Sequence, residues 1–255
     1  MIAFMPMCTG MATSGLVISE SADVARGKLM GKEDTTGGKV WDSGRVLAEL
    51  LSTQYREQLP NMKVLELGSG TGIGGLTAAA AGASVTLTDG SLGVIPLLEA
   101  NVRVNELEER VSISRLRWGF NTDLLTAVGD QPDLVIGSDL LYSPDTFSDL
   151  LDTLEDLCTP DHTEVLVCSF LTNAAPAHAA SYAAVACPPV LAAYERPPRV
   201  CVEQQAFDSR PQFCFPTRHT EDIFFEMAES RGFQTSSFCE HQPCLFSATL
   251  RLPSA

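Results

Sequence analysis

What this chain lacks excludes several classes of protein at the outset. None of its eight cysteines pairs with another as C-x-x-C. The tightest group, Cys239, His241 and Cys244, does not follow a common zinc spacing, so no metal site is expected. No run is long and apolar enough to suggest a membrane span. No basic residue precedes Arg26, and Pro6 and Gly10 interrupt the start, which makes a poor secretory signal and a weak organelle transit segment. Scattered thiols without a secretory signal suit a reducing compartment, and a cytoplasmic or nuclear location is expected. Basic residues are also scarce: 17 Lys and Arg face 32 Asp and Glu, a formal net charge of −15. Such a surface repels phosphate backbones and suits a basic partner. Neither a nucleic-acid nor a membrane partner is expected. No internal repeat is visible.

The chain holds 255 residues, 45% of them hydrophobic, which fits one large α/β domain better than two small ones. Residues 1–34 read as an N-terminal extension, loose at first and with a strand-like run, GLVISES, at 15–21. The domain proper is expected over 35–255. Val46, Leu47, Leu50 and Leu51 recur at helical spacing, so 43–58 predicts an amphipathic helix with Ser43 as its N-cap. From residue 63 a rhythm sets in. Apolar, β-prone runs occur at 63–68, 84–89, 111–116, 133–138 and 164–170. Helix-like segments occur at 73–82, 91–105, 120–128 and 144–157. Strands apolar on both faces, alternating with helices, predict a parallel sheet covered on both sides. Residues 171–216 break the rhythm and read as an insertion with a short helix at 176–186. A helix is predicted over 217–231, with Thr220 as N-cap and Gly232 just past its end, followed by two closing strands. The expected fold is therefore α/β: a doubly wound, mostly parallel, seven-stranded Rossmann-like sheet with a terminal antiparallel strand pair. Its ligand should sit at the carboxyl ends of the strands.

The most informative stretch is VLELGSGTGIGG at 64–75, which reads as strand, tight turn, helix. Glycines at 68, 70 and 72 let a backbone turn sharply and approach a ligand. Gly70-x-Gly72-x-x-Gly75 also satisfies the dinucleotide fingerprint, so the turn by itself leaves the ligand open. Asp89, ending the second of these strands, suits ribose hydroxyls in either case, or else caps the following helix. Glu66 helps to choose. A carboxylate beside the cradle disfavours a pyrophosphate and suits the ammonium group of a methionine-type ligand.

This stretch resembles motif I of the class I, seven-stranded S-adenosylmethionine-dependent methyltransferases. VWDSG at 40–44, LRWG at 116–119 and SDLLYSP at 138–144 resemble three landmarks of one group within that class. That group is the methyltransferase-like family of protein lysine methyltransferases. The resemblance covers about residues 35–170, and the four motifs are specific only together. It implies S-adenosylmethionine as cofactor and a protein lysine as acceptor, with a monomer acting on a protein substrate. It further implies that Gly68, Ser69 and Gly70 hold the methionine end and that Trp41 closes over the cofactor. Trp118 would lie beside the adenine, and Ser138 would end a strand at the crevice. Asp139 would attract and orient the acceptor cation, while Tyr142 lines its channel. No Ser-His-Asp arrangement is expected, because a sulfonium methyl group needs positioning rather than a charged nucleophile. Three other readings stay open from the sequence: a methyltransferase for a non-protein substrate, an NAD-type oxidoreductase, and a non-catalytic adaptor on the same fold.

Overall fold

In the computed structural model two short strands, β1 (Ile2–Ala3) and β2 (Ile18–Ser19), pair antiparallel ahead of the domain. The structure describes residues 2–3, 15–21, 36–127, 129, 131–160, 162–170, 220–237 and 245–251. The predicted insertion at 171–216, its helix, and the group Cys239, His241 and Cys244 lie outside the described residues.

Five parallel strands form where the apolar runs predicted them: β3 (Lys63–Leu67), β4 (Ser84–Asp89), β5 (Val111–Arg115), β6 (Leu134–Ser138) and β7 (Glu164–Phe170). Two closing strands, β8 (Gln234–Ser237) and β9 (Leu245–Arg251), pair antiparallel, and β9 runs antiparallel to β7. The seven-stranded order is β5-β4-β3-β6-β7-β9-β8. The chain winds outward from β3 in one direction and returns to its other side with β6. That reversal opens a crevice between the carboxyl ends of β3 and β6.

Alternating side chains feed two cores. Val64, Leu134, Ile136 and Leu166 point to one face, and Leu65, Leu67, Val135, Val165 and Val167 to the other. The first face is covered by α1 (Asp42–Thr53), α2 (Ile73–Ala80) and α3 (Ile95–Val104) through Leu47, Leu51, Leu76 and Leu98. The helix α4 (Asn121–Ala127) follows β5. The second face is covered by α5 (Phe147–Leu157) and α6 (Thr220–Ser230). Phe147 and Phe224, one from each, meet edge to face with centroids 5.3 Å apart. Each fully buried side chain of this size contributes roughly 1.5–3 kcal/mol by leaving water.

Several boundaries depart from the sequence reading. α1 ends at Thr53 rather than 58. Ser43 is not its cap: Trp41 holds the extended N-cap backbone, and Ser43 lies inside the first turn. α3 begins at Ile95, after a turn over 91–94, and α5 is preceded by a 3-10 turn, Pro144–Thr146. Thr220 is the first helical residue of α6, not its cap. Past α6, Gly232 adopts φ +90 and donates to the Glu229 carbonyl at 3.0 Å. Phe233 donates to the Ala228 carbonyl at 3.1 Å, completing a Schellman motif.

The strand-like run at 15–21 pairs only over β2, because its next partner is a helix. Asn101 of α3 accepts from Ser19 N at 2.9 Å and donates to the carbonyls of Ser19 at 3.1 Å and Thr71 at 2.8 Å. Asn105, one turn on, exchanges two bonds of 2.7 Å with Val17. Two amides thus stand in for a neighbouring strand, and Asn101, wholly buried, also holds the glycine turn through Thr71. Asn101→Leu leaves these backbone groups without their amide partner, and we expect it to lower unfolding free energy by about 2–4 kcal/mol. Urea titration with an unchanged slope reads this; a change below about 0.5 kcal/mol refutes the role.

Candidate functional site

A cavity of about 420 Å³ occupies the crevice, within the range of small-molecule sites. Its floor is the glycine turn after β3, its walls are the ends of β4, β5 and β6, and its cover is the segment 36–44. Every predicted site residue except Glu66 lines it: Trp41, Gly68, Ser69, Gly70, Asp89 and Trp118 on the expected cofactor side, with Ser138, Asp139 and Tyr142 beyond them.

The turn is pinned from below. Ser69 N donates to the Thr88 carbonyl at 2.8 Å, and its hydroxyl takes the Thr88 N–H at 3.0 Å and contacts the Glu66 carbonyl at 3.2 Å. The Ser69 side chain is thus part of the β3–β4 brace, and the Ser69 carbonyl closes the turn by accepting from Gly72 N at 2.7 Å. Asp89 accepts from Gly70 N at 3.0 Å through one oxygen and from Ser91 N at 2.9 Å through the other. It does not cap α3, which starts six residues later; it ties the glycine turn to the loop that follows β4.

The cover is a strap drawn tight against the turn. A Cβ built on Gly70, whose φ is +53, would lie 3.0 Å from the Gly37 carbonyl oxygen and 3.2 Å from its Cα. Only the absence of side chains allows two backbones so close. The strap is tied back at several points. Val40 N donates to Glu20 at 2.9 Å, Ser21 N donates to the Gly38 carbonyl at 2.9 Å, and Trp41 Nε1 donates to the Thr36 carbonyl at 3.1 Å. The Trp41 ring remains 44% exposed at the rim, with the Lys39 ammonium 5.3 Å from its centroid. Trp118, half-buried after β5, approaches the Gly68 position to 3.7 Å. Gly119 N donates to Thr153 of α5 at 2.9 Å, which fixes this corner. Arg117 grips Asp123 with two bonds of 2.7 and 3.0 Å, holding the Asp123 carboxyl below its ordinary range.

On the far side, Asp139 follows β6 in a left-handed backbone, φ +53, with its N–H on the Cys168 carbonyl at 2.8 Å. Its Oδ2 accepts a hydrogen bond from Ser43. It does not cap the turn at Pro144, whose N-cap residue is Ser143. Tyr142 stands 42% exposed at the opening.

Glu66 is the one correction among the site residues. It was expected to face a ligand ammonium, yet it does not line the cavity. Its side chain runs behind the turn to the start of α2, where a Cβ on Gly74 would meet its Oε1 at 2.4 Å. It is 2% exposed and its Oε2 has no hydrogen-bond partner. Burial pushes the carboxyl up to about 8; the nearby Gly75 and Gly74 N–H groups and Ser69 oppose this only in part. The alternation of β3 explains the miss, since Leu65 and Leu67 occupy the face that Glu66 does not.

The strap residues Thr36, Gly37 and Lys39 and the helical Gly44 also line the cavity, though none of them was among the expected site residues. The TGG run at 36–38 was the available signal, but nothing local says what two glycines will pack against. Of the histidines, His162 is described; it pairs with Asp133 at 3.0 Å at the amino ends of the strands, away from this cavity.

The strand order, the terminal antiparallel pair and a cavity at the switch point define the class I methyltransferase fold. A solved structure agrees: magnesium protoporphyrin IX methyltransferase from Synechocystis PCC 6803, with bound SAH, superposes with a TM-score of 0.50. It is 17% identical and the match covers 83% of this chain and 82% of that one. Within that class the chain belongs to the lysine methyltransferase family, whose match spans residues 28–175. It is 41% identical over 132 residues to protein N-lysine methyltransferase METTL21A of Danio rerio, covering 51% of this chain and 59% of that protein. It is 36% identical over 126 residues to EEF1A lysine methyltransferase 3 of Mus musculus, covering 49% and 52%. The chain thus spans little more than half the length of these curated relatives.

Proposed function

We propose that this chain is an S-adenosylmethionine-dependent methyltransferase acting on a lysine side chain of a protein. The observation that carries the reading is the convergence of Asp139 and Tyr142 on the same cavity as the glycine turn and Asp89. Family membership and the lysine-methyltransferase names of its relatives support the same acceptor.

The residues present fit the cofactor. The Gly70–Gly37 approach leaves bare backbone beside a polar ligand end, and Asp89 stands one strand away, where a ribose needs an acceptor. Trp118 offers a flat face to a base. When bound, S-adenosylmethionine supplies a methyl group made electrophilic by its sulfonium. The protein's own task is positioning. The strap, with Trp41 at its rim, keeps water from the cavity. Asp139 draws in the acceptor ammonium and orients it, and Tyr142 borders the aliphatic stem at the opening. Lysine has an ordinary pKa near ~10.4, so a proton must leave for water before the amine lone pair can align.

Radiolabelled methyl transfer into a cell extract, followed by mass spectrometry of the labelled protein, tests the reading. Label in nucleic acid or small molecules, with none in protein, overturns it. The cradle has its own test. In Gly70→Ala a side chain is forced onto a left-handed backbone, at about 1–2 kcal/mol, and into the Gly37 carbonyl. We expect S-adenosylhomocysteine affinity to fall at least about tenfold by calorimetry, because turn and strap must separate. Affinity equal to wild type removes the strap contact from the binding site.

A further inference from the structure

We propose that Ser43 is a positioning residue through which the strap governs the acceptor carboxylate. The functional consequence rests on the methyl-transfer reading above; the contact itself does not.

Ser43 is wholly buried in the first turn of α1, at the helical end of the strap, and its hydroxyl donates to Asp139 Oδ2. The next residue shows how closely this turn sits on the end of β6. A Cβ on Gly44 would stand 3.3 Å from Ser138 Oγ and 3.2 Å from Ile73 Cγ2. Asp139's backbone is set by its left-handed conformation and its bond to Cys168, but neither fixes the direction of the carboxylate. The Ser43 hydroxyl holds one of its two oxygens. Six positions along the chain separate this contact from the strap's other one, where Gly37 meets Gly70 of the cofactor cradle. One short segment therefore touches the cradle at one end and the acceptor carboxylate at the other. A strap lifted from the cradle carries Ser43 away from Asp139, so the carboxylate is aligned for a lysine only while the strap is closed. Cofactor and acceptor binding are then linked, and linkage of this kind is reciprocal.

A double-mutant cycle on the full chain tests this, using Ser43→Ala and Asp139→Gly; glycine accepts the left-handed backbone and removes the carboxylate. Hydrogen–deuterium exchange over 36–48 is the readout that needs no activity. Each single variant should speed exchange there to the same degree, and the double variant no further. In methyl transfer, Ser43→Ala should lower kcat about tenfold while the S-adenosylhomocysteine Kd moves less than about threefold, and it should add nothing in the Asp139→Gly background. Additive exchange effects overturn the proposal. So does a fall in cofactor affinity and Tm that keeps step with kcat, since that marks a merely structural role. If wild type labels no protein at all, the methyl-transfer reading fails while the exchange cycle still decides the Ser43–Asp139 coupling.

Discussion

Asp139→Asn should lower kcat/KM for lysine methylation by about 10²-fold or more while leaving S-adenosylhomocysteine affinity within a few-fold of wild type. Asparagine is the informative replacement because it tolerates a left-handed backbone almost as readily as aspartate, whose φ here is +53. Its amide also remains within reach of Ser43. The fold and the carboxylate's shape are therefore kept, and only the charge is lost. In the proposed function that charge attracts and orients a cationic acceptor, so the loss should fall on the acceptor's parameters and not on cofactor binding. Steady-state kinetics with the labelled protein substrate, beside calorimetry with S-adenosylhomocysteine, separates the two. Activity equal to wild type takes Asp139 out of the mechanism.

The second large effect concerns stability and pH. Glu66 is buried behind the glycine turn, and burial raises its carboxyl from 4.5 to about 8. A raised folded-state value means that the native protein holds a proton which the unfolded chain releases. The stabilisation is complete below the unfolded value of 4.5 and is lost as pH climbs through about 8. At about 1.4 kcal/mol per pH unit, the whole span is worth at most about 5 kcal/mol. Glu66→Gln keeps the shape of the neutral acid and cannot ionise. Wild type should therefore lose stability relative to the variant steadily from about pH 5 to pH 8 and then level off, and urea unfolding at pH 5, 7 and 9 measures the difference. Parallel curves for the two proteins sink the idea. The same burial means that near neutral pH Glu66 is mostly uncharged. It supports the start of α2 beneath the turn instead of contributing an anion to the cavity.

Much of the molecule was legible in the chain because its strongest signals are local. Runs such as LVI at 134–136 and VLV at 165–167 are apolar at successive positions, and that pattern suits a sheet with helices on both faces. All five parallel strands begin and end within a residue of their predicted bounds. Gly68, Gly70, Asp89, Trp118, Asp139 and Tyr142 could be named because each sits at or just past a strand end, and in this fold strand ends face the ligand. The helix starts were less legible. Ser43 has the composition of a cap, and only a partner far away in the chain, Asp139, turns it into something else.

The sequence alone thus determined the alternation of strand and helix, the glycine turn and the set of polar residues at the strand ends, because each is written within a few consecutive positions. The tertiary structure alone decided three other matters. It turned Glu66 away from the cavity, laid the strap at 36–44 over the glycine turn, and joined Ser43 to Asp139. These depend on which face of a strand a side chain takes and on contacts between segments up to 96 positions apart. Periodicity and composition carry no record of such contacts; only the closing of the sheet and the packing of α1 against the end of β6 bring them about.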